Sequence, residues 1–193
     1  MSLSCDSAVT RDDGNVILEL TQVSHEFVFT GVTERPVLSL NRGFSAPVNI
    51  DYEYTNDELA LLMVHDSDPV ARWNASQLLS QNAILTLAER IQQGGEPEVD
   101  QLLVDTWRQV LRSANQDGSL LAQLCSLPMI NYLLRQSKQA DVAALFAAKS
   151  YIMTTLSSQL QTAWKAEYEN GCSSDPYQYD VEGMSRRAWK NQC

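Results

Sequence analysis

Apolar and polar residues alternate with a period of two in the first quarter of the chain, from Asn15 to Tyr54. The clearest run is Val48 to Tyr54, where every second residue is apolar or aromatic and the residues between are polar. This pattern predicts a β-strand with one buried face. Val16 to Leu20 and His25 to Thr30 are further strand candidates because they are rich in Val, Ile and Phe. The sequence therefore predicts a few antiparallel strands, too few for a complete β-sandwich.

From Thr55 onward the apolar spacing changes to 3.6, the period of an amphipathic α-helix. Thr55 and Glu58 have the spacing of a capping box, in which each side chain accepts a hydrogen bond from the other residue's amide. A short helix is predicted from about Asn56 to Val64. Asp68 is placed to cap a longer helix with Pro69 at its first position, where a missing N–H costs nothing.

More helices are predicted along the rest of the chain. The longest begins at Asp141, stops at Gly171, and carries an apolar stripe interrupted only by Lys149. That stripe comprises Val142, Leu145, Phe146, Ile152, Met153, Leu156, Leu160, Ala163 and Trp164. The other predicted boundaries are a stop at Gly94-Gly95, a helix from Pro97 to a break at Asn115 to Gly118, short helices at Ser119 to Ser126 and Pro128 to Gln136, and a terminal helix from Asp180 toward Cys193.

The predicted fold is mainly α with a small N-terminal β part. Residues 1–54 are expected to form a partial antiparallel β-sandwich domain. Residues 55–193 are expected to form an α-helical, solenoid-like array, because short turns between successive helices make antiparallel neighbours.

Charge and composition exclude several classes of function. The formal net charge of −10 opposes binding to nucleic acid or to an anionic membrane, since phosphate binding needs clustered Lys and Arg. No stretch approaches 18 consecutive apolar residues and no signal peptide is visible, so a cytoplasmic location is expected. Four scattered cysteines, Cys5, Cys125, Cys172 and Cys193, are interpreted as reduced thiols.

Only two histidines, His25 and His65, are available for metal or acid–base chemistry. His25-Glu26 starts a His-Glu-x-x-His pattern, but Phe29 stands where the second histidine is required. The motif also needs a helix, whereas this segment alternates like a strand. His65 lies near Asp66 and Asp68, and a solvated turn or helix-end contact is the favoured interpretation.

Other polar and aromatic residues are also given structural roles. No Gly-x-Ser-x-Gly elbow, phosphate-binding loop or calcium-loop spacing is present. Arg72 is expected to contact a carboxylate of the preceding turn or an aromatic ring, and Arg42 to reach the domain interface. Loop and capping roles are expected for Asp175, Asp180 and Glu182, and core packing for Trp73, Trp107, Trp164 and Trp189. No catalytic, cofactor-binding or metal-binding residue is therefore assigned.

Several short motifs resemble the bacterial alanyl aminopeptidase N family of zinc metallopeptidases. They lie where that family's small β-sandwich passes into its C-terminal helical domain, and a looser similarity continues toward Cys193. The motifs are Arg42-Gly43-Phe44-Ser45-Ala46-Pro47-Val48, Leu59-Ala60-Leu61-Leu62-Met63-Val64-His65 and Arg72-Trp73-Asn74-Ala75.

The resemblance implies a noncatalytic fragment of a zinc-dependent aminopeptidase that removes N-terminal residues from peptides. The family's zinc helix and its Gly-x-Met-Glu-Asn motif have no counterpart here, since Gly183-Met184 is followed by Ser185. The implied role is to cover the catalytic cleft and limit access to it. The implied partners are the catalytic domain of the same polypeptide and its peptide substrates, and the implied zinc belongs to the parent enzyme, not to this chain.

An alternative from another class of protein stays open. The chain could be an independent helical-repeat module whose acidic surface binds a protein partner. The two hypotheses differ in the flanking sequence, which the first expects to contain a His-Glu-x-x-His helix. Under the first hypothesis, we expect the sequence to be a piece of a larger polypeptide.

Overall fold

Two packing units, residues 1–38 and residues 39–193, make up the chain. The computed structural model describes residues 2–4, 9–12, 15–112, 117–136, 141–172 and 177–193. Among them, helices predominate and the strands are confined to the N-terminal unit, which confirms the predicted fold class.

The N-terminal unit contains two antiparallel strand pairs. Strand β1 (Ser2–Ser4) pairs with β4 (Val28–Thr30), and β2 (Val9–Asp12) pairs with β3 (Asn15–Leu18). The candidate strands at Val16 and His25 correspond to β3 and β4. Strand β4 is shorter than predicted, because its three residues are the ones that face β1.

The strand predicted from Val48 to Tyr54 is wrong for the chain as described. These residues form neither a helix nor a ladder with any described strand. A strand is completed only by hydrogen bonds to a neighbour, which alternation along one segment does not supply. Both described ladders lie within residues 2–30, so this segment has no strand partner among the described residues.

Eight helices are described in the second unit. The first begins with the predicted capping box: the Glu58 amide donates to Thr55 Oγ1 at 3.2 Å, and the Thr55 amide donates to Glu58 Oε2 at 2.9 Å. The second begins at Pro69, where the Ala71 amide donates to Asp68 Oδ1 at 2.7 Å. The helices are α1 (Asn56–His65), α2 (Pro69–Gln92), α3 (Gln101–Arg112), α4 (Gly118–Leu124), α5 (Ile130–Gln136), α6 (Val142–Gln159), α7 (Gln161–Asn170) and α8 (Val181–Gln192).

Helix α3 starts four residues later than the predicted start at Pro97. The Leu102 amide donates to the Asp100 carboxylate at 2.9 Å, and the Leu103 amide donates to the Asp100 carbonyl at 3.1 Å. Asp100 therefore acts as the capping residue. Its side chain supplies an acceptor for a free amide of the first turn, which proline cannot do.

The single helix predicted from Asp141 to Gly171 is two helices. Leu160, with φ −111° and ψ 13°, leaves helical geometry between α6 and α7 while its side chain stays buried. The bend accompanies a contact between aromatic rings, since Trp164 on α7 lies 6.1 Å from Trp107 and 5.8 Å from Trp189. Tertiary packing thus overrides a continuous helical pattern.

The core of the second unit surrounds α2, which packs against α1, α4 and α6. Burying each large aliphatic side chain contributes roughly 1.5–3 kcal/mol. The predicted stripe of α6 is only partly buried, because Phe146 and Met153 lie about half exposed on the outer side of the helix. The largest fully buried apolar side chains are Leu59, Met63, Ile84, Leu103, Val104, Val110, Leu124, Cys125, Leu133, Leu145 and Ile152.

Candidate functional site

The two histidines lie in different packing units. The His25 ring is tilted against the Phe27 ring, with centroids 5.7 Å apart, in a non-helical segment before β4. His65 is the last residue of α1 and is exposed. Among the described residues, no three His, Cys, Asp or Glu side chains are grouped as metal ligands.

A polar cluster joins the segment before α1 to the corner between α1 and α2. Arg42 donates to Asp66 Oδ1 at 2.5 Å, to Ser67 Oγ at 2.6 Å and to Ser39 Oγ at 3.0 Å. The Gly43 amide donates to the carboxylate that caps α2. These hydrogen bonds, here called the junction cluster, fix residues 39–43 to the helices. The Arg42 guanidinium makes its hydrogen bonds within this cluster.

The backbone of the turn in this cluster adopts unusual conformations. Asn41, Gly43 and Phe44 have φ of 51°, 61° and 52°. Asparagine and glycine tolerate the left-handed region, whereas a residue such as phenylalanine pays roughly 1–2 kcal/mol there. The Asn41 side chain closes the turn by bonding both to the Ala46 amide and to the Ala46 carbonyl, each at 3.0 Å.

Asp66 is the buried acid of the junction cluster, with its side chain 2% exposed. Burial raises the pKa of Asp66, but hydrogen bonds from Ser39, the Asp68 amide and Arg42 outweigh burial, so the pKa is lowered overall. The carboxylate is thus held ionised by its donors. Nearby Asp68 accepts from the Ala71 amide with one oxygen and from the Gly43 amide with the other.

Arg72 lies in the first turns of α2 and is almost completely buried. Its Nε donates to the Met63 carbonyl at 2.9 Å, which satisfies an acceptor near the end of α1. Burial lowers the pKa of Arg72, while the Asp66 carboxylate acts in the opposite direction. Arg72 therefore has a structural role, but its hydrogen bond to the Met63 carbonyl is not the contact with a carboxylate or an aromatic ring that was predicted for it.

An open cleft of about 810 Å³ lies between α3, α6, α7, the end of α8 and residues 125–127. Five of its fourteen lining residues are aromatic or basic. Its lining residues include no carboxylate and no histidine. The aromatic and charged lining residues are Trp107, Trp164, Tyr168, Lys149 and Lys165.

The ionisable groups of this cleft are poorly suited to catalysis. Burial raises the pKa of the Cys125 thiol far above its ordinary value and that of Cys193 to about 11, so neither is a ready nucleophile near neutral pH. Lys149 donates to the Pro128 carbonyl at 2.8 Å, and burial lowers its pKa. The cleft can bind apolar or acidic groups but offers no nucleophile and base in contact.

The remaining predicted candidates have structural contacts. Asp180 caps α8 by accepting from the Gly183 amide at 2.6 Å, Glu182 lies exposed in the first turn, and Asp175 lies outside the described residues. Trp107 and Trp189 are buried as predicted, but Trp73 is 42% exposed, which corrects its assignment to the core. Cys5 also lies outside the described residues.

Sequence reasoning did not identify Asp66 as a buried acid bound by Arg42, and it did not identify the cleft. A signal for Asp66 was present in the Asp66-Ser67-Asp68 run, since short polar side chains between two helices are common capping and turn residues. The cleft had no local signal, because its residues come from four helices. In the described part of the chain, no helix is long and apolar enough to cross a lipid bilayer.

Family models match both parts of the chain. Residues 56–193 match a domain of unknown function described as ARM repeats, DUF3458_C. Residues 3–53 match a domain of unknown function described as an Ig-like fold, DUF3458.

Among curated proteins, aminopeptidase N of Escherichia coli is 30% identical over 93% of this chain and 20% of its own length. Aminopeptidase N of Caulobacter vibrioides is 30% identical over 99% of this chain and 22% of its own length. Aminopeptidase N of Haemophilus influenzae is 26% identical over 92% of this chain and 20% of its own length. The chain thus spans about one fifth of these relatives.

A solved structure has the same fold. The crystal structure of Legionella pneumophila aminopeptidase A in complex with aspartic acid superposes with a TM-score of 0.73 and 24% identity. The superposition covers 93% of this chain and 21% of the other.

Proposed function

We propose a supporting, noncatalytic role in a larger aminopeptidase for this chain, which belongs to the DUF3458_C family of ARM-repeat domains. Its similarity to aminopeptidases N extends over nearly all of its own length but only about one fifth of theirs. This one-sided coverage is the observation that carries the proposal. The active enzyme then needs residues outside 1–193.

The chemistry of the described residues supports assigning catalysis to another domain of the larger polypeptide. The exposed His65 and the half-buried His25 lie in separate units. The thiols of the cleft have raised pKa values. Arg42 and Asp66 form an ion pair in the junction cluster, so each neutralises the charge of the other. In the proposed enzyme, zinc and the groups that activate water therefore belong to the catalytic domain of the same polypeptide. This chain would cover the catalytic cleft and restrict entry to short peptides.

The domain boundary is part of the proposal. In this proposal a β-sandwich part ends near residue 54 and the helical domain starts at Thr55. The whole polypeptide would act on peptide N-termini in the cytoplasm.

Activity and metal content test this role. The 193-residue chain and the full-length polypeptide are assayed with alanine p-nitroanilide, and bound zinc is measured by atomic emission. We expect turnover that a chelator abolishes and one zinc per molecule in the full-length polypeptide only. Zinc-dependent turnover by the 193-residue chain contradicts the proposal.

Crosslinking tests the position over the cleft. Lysine crosslinks in the full-length enzyme should join the helical region, at Lys149, Lys165 or Lys190, to the catalytic domain. In addition, kcat/KM should fall steeply with substrate length. Crosslinks confined to the helical region, with equal kcat/KM for short and long peptides, contradict a covering role.

A second function is supported by the cleft and the ARM-repeat match. An independent module would bind a protein partner through its acidic surface, and the cleft lined by Trp164 and Tyr168 would be a further contact site. A natural reading frame without a catalytic domain, together with an inactive full-length product, favours this function over the first.

A further inference from the structure

Lys149 is the polar residue that interrupts the apolar stripe of α6, and it lines the open cleft. Its Nζ donates to the Pro128 carbonyl at 2.8 Å. An ammonium group has three donors, so two remain for other acceptors. Burial lowers the pKa of Lys149, which indicates that the charged group has lost part of its hydration. An anion in contact with Lys149 would compensate for this loss.

No acidic side chain among the described residues supplies that anion. The lining of the cleft contains no Asp or Glu, and no described carboxylate forms an ion pair with Lys149. Two acids of the neighbouring helix α7 have other partners. Glu167 accepts from Trp189 Nε1 at 2.9 Å, and Glu169 pairs with Lys165 at 3.9 Å. Lys149 therefore lacks a described counter-ion, although the whole chain carries a net charge of −10.

Apolar and aromatic side chains line the same cleft. On α6, Met153 follows Lys149 by one helical turn and is 52% exposed. On α7, Trp164 and Tyr168 are four positions apart and therefore share one face. Tyr168 is 46% exposed, and the half-buried Trp164 lies beside Trp107. Aromatic rings and a thioether of this kind pack favourably against an aromatic ring of a ligand.

The volume of the cleft limits the size of its ligand. At about 810 Å³ it lies within the range of roughly 300–1,000 Å³ that is typical of small-molecule sites. Such sites are mostly apolar and contain a few polar groups that orient the ligand. Here Lys149 supplies the charged group, and Ser157 and Gln161 add neutral polar groups. The cleft thus combines a cation without a described counter-ion and an aromatic lining in a volume suited to a small ligand.

We propose that this cleft binds a small aromatic carboxylate, with the carboxylate on Lys149 and the ring against Trp164 and Tyr168. A carboxylate accepts charge-assisted hydrogen bonds from the two remaining donors of the ammonium group. A cationic ligand is disfavoured, because Lys149 and Lys165 both line the cleft. The inference holds whether or not the larger polypeptide is an aminopeptidase, because it uses only residues of this chain.

Binding of N-acetyl-L-phenylalanine and of its amide tests the proposal. The two probes share the ring and differ in the carboxylate, which the amide replaces by a neutral group. Isothermal titration calorimetry near pH 7 measures the affinity of the 193-residue chain for each. We expect the acid to bind at least about tenfold more tightly than the amide, because hydrogen bonds between ionised groups are stronger than neutral ones. Equal binding of the two probes, or no binding of the acid, overturns the proposal.

Two lysine variants locate the carboxylate. Lys149→Met removes the ammonium group and keeps an unbranched side chain, so it should weaken binding of the acid by about tenfold or more and change binding of the amide by no more than about threefold. Lys165→Met is the matched control, because Lys165 also lines the cleft but is exposed and paired with Glu169. It should change binding of the acid by no more than about threefold. Equal losses in the two variants overturn the assignment to Lys149.

The indole signals of two tryptophans locate the ring of the ligand. In a proton–nitrogen correlation spectrum, the acid should shift the indole N–H signal of Trp164, which lines the cleft. The signal of Trp73, which does not line the cleft, should stay unchanged and also reports whether Lys149→Met is folded. A shift of the Trp73 signal without a shift of the Trp164 signal places the probe elsewhere and overturns the proposal.

Two further measurements distinguish the ligand from other occupants of the cleft. The titration is repeated with the full-length polypeptide, where loss of binding shows that another segment covers the cleft and overturns the proposal. It is also repeated at increasing concentrations of the 193-residue chain. An affinity that falls as the chain self-associates assigns the cleft to a second copy and likewise overturns the proposal. An affinity that is the same in both forms and at all concentrations supports it.

Discussion

Arg42 and Asp66, 24 positions apart, are joined by a 2.5 Å contact at the corner between α1 and α2. The arginine side chain is 26% exposed and the aspartate side chain 2% exposed, so the acid is the buried member. Ser39, Ser67 and Asp68 complete the polar shell. The loss of the aspartate charge should therefore weaken several hydrogen bonds at once.

Asp66→Asn should lower the free energy of unfolding of the second unit by roughly 1–3 kcal/mol, because it leaves buried donors with a weaker acceptor. Urea unfolding followed by circular dichroism at 222 nm measures this change. The matched control is Asp105→Asn on α3, whose carboxylate pairs with Arg108 in a partly exposed i,i+3 arrangement. That control should change stability by no more than about 0.5 kcal/mol. Equal effects of the two variants contradict a special role for Asp66.

Stability should also fall in acid through two aspartates. The pKa of Asp66 is lowered by its donors against the effect of burial, and the pKa of Asp117 is lowered first by the Ser185 hydroxyl and then by the Ser119 amide. In both cases the folded pKa lies below the ordinary 3.8, so the unfolded chain binds more protons in acid. The stabilisation is complete above pH 3.8 and is lost as pH falls through the folded pKa values.

The measurement is urea unfolding at several values between pH 2 and pH 7. The double variant Asp66→Asn, Asp117→Asn should be less stable near neutral pH and lose less stability in acid than the original chain. If the free energy of unfolding depends on pH in the same way in both proteins, Asp66 and Asp117 are not the cause of the loss of stability in acid.

Gly118→Ala should destabilise the protein, although alanine normally favours a helix by up to about 1 kcal/mol over glycine. A Cβ at Gly118 would lie 2.7 Å from the Ser185 carbonyl oxygen and 3.0 Å from Trp189 Cβ, so α4 and α8 would have to separate. We expect a loss of roughly 1–3 kcal/mol, as for other overpacked sites. Thermal unfolding and the near-ultraviolet signal of Trp189 measure it.

Gly171→Ala is the control for this prediction, since a Cβ there meets Lys190 Cβ at 3.2 Å and no backbone atom closer than 3.5 Å. It should change stability by less than about 1 kcal/mol. A larger loss at Gly171 than at Gly118 would show that helix-end effects, and not the approach of α4 to α8, dominate.

Three thiols should react with Ellman's reagent at different rates at pH 8. Cys172 is exposed and should react first, Cys193 should react slowly because burial raises its pKa to about 11, and Cys125 should react only on unfolding. Single-cysteine variants in a background without Cys5 provide the measurement. Rapid modification of Cys125 in the folded protein would show that the floor of the cleft is open.

The sequence predicted best where the decisive contacts are local. Thr55 with Glu58, and Asp68 with Pro69, form their caps within four residues, so the starts of α1 and α2 were predicted correctly. The bend at Leu160 could not be predicted, because it accompanies the contact of Trp164 with rings 57 positions before and 25 positions after it. The periodicity of α6 also did not show which of its apolar side chains are exposed to solvent.

In the candidate site, too, features set by neighbouring residues could be predicted and features set by distant contacts could not. Sequence spacing argued against a zinc helix at His25, because that argument concerns only the five consecutive positions from His25 to Phe29. By contrast, the contact between Arg42 and Asp66 depends on the path of the chain around α1, and the cleft depends on the placement of four helices. Neither could be predicted from the residues nearby.

The two oxygens of Asp68 bind on opposite sides of the α1–α2 corner, one to the Ala71 amide and one to the Gly43 amide. A single carboxylate thus takes part both in starting a 24-residue helix and in closing the turn that precedes the helical region. The turn has this acceptor only in the folded arrangement of the helix corner. The path of residues 39–43 therefore depends on the folded helices as well as on the local bonds of Asn41.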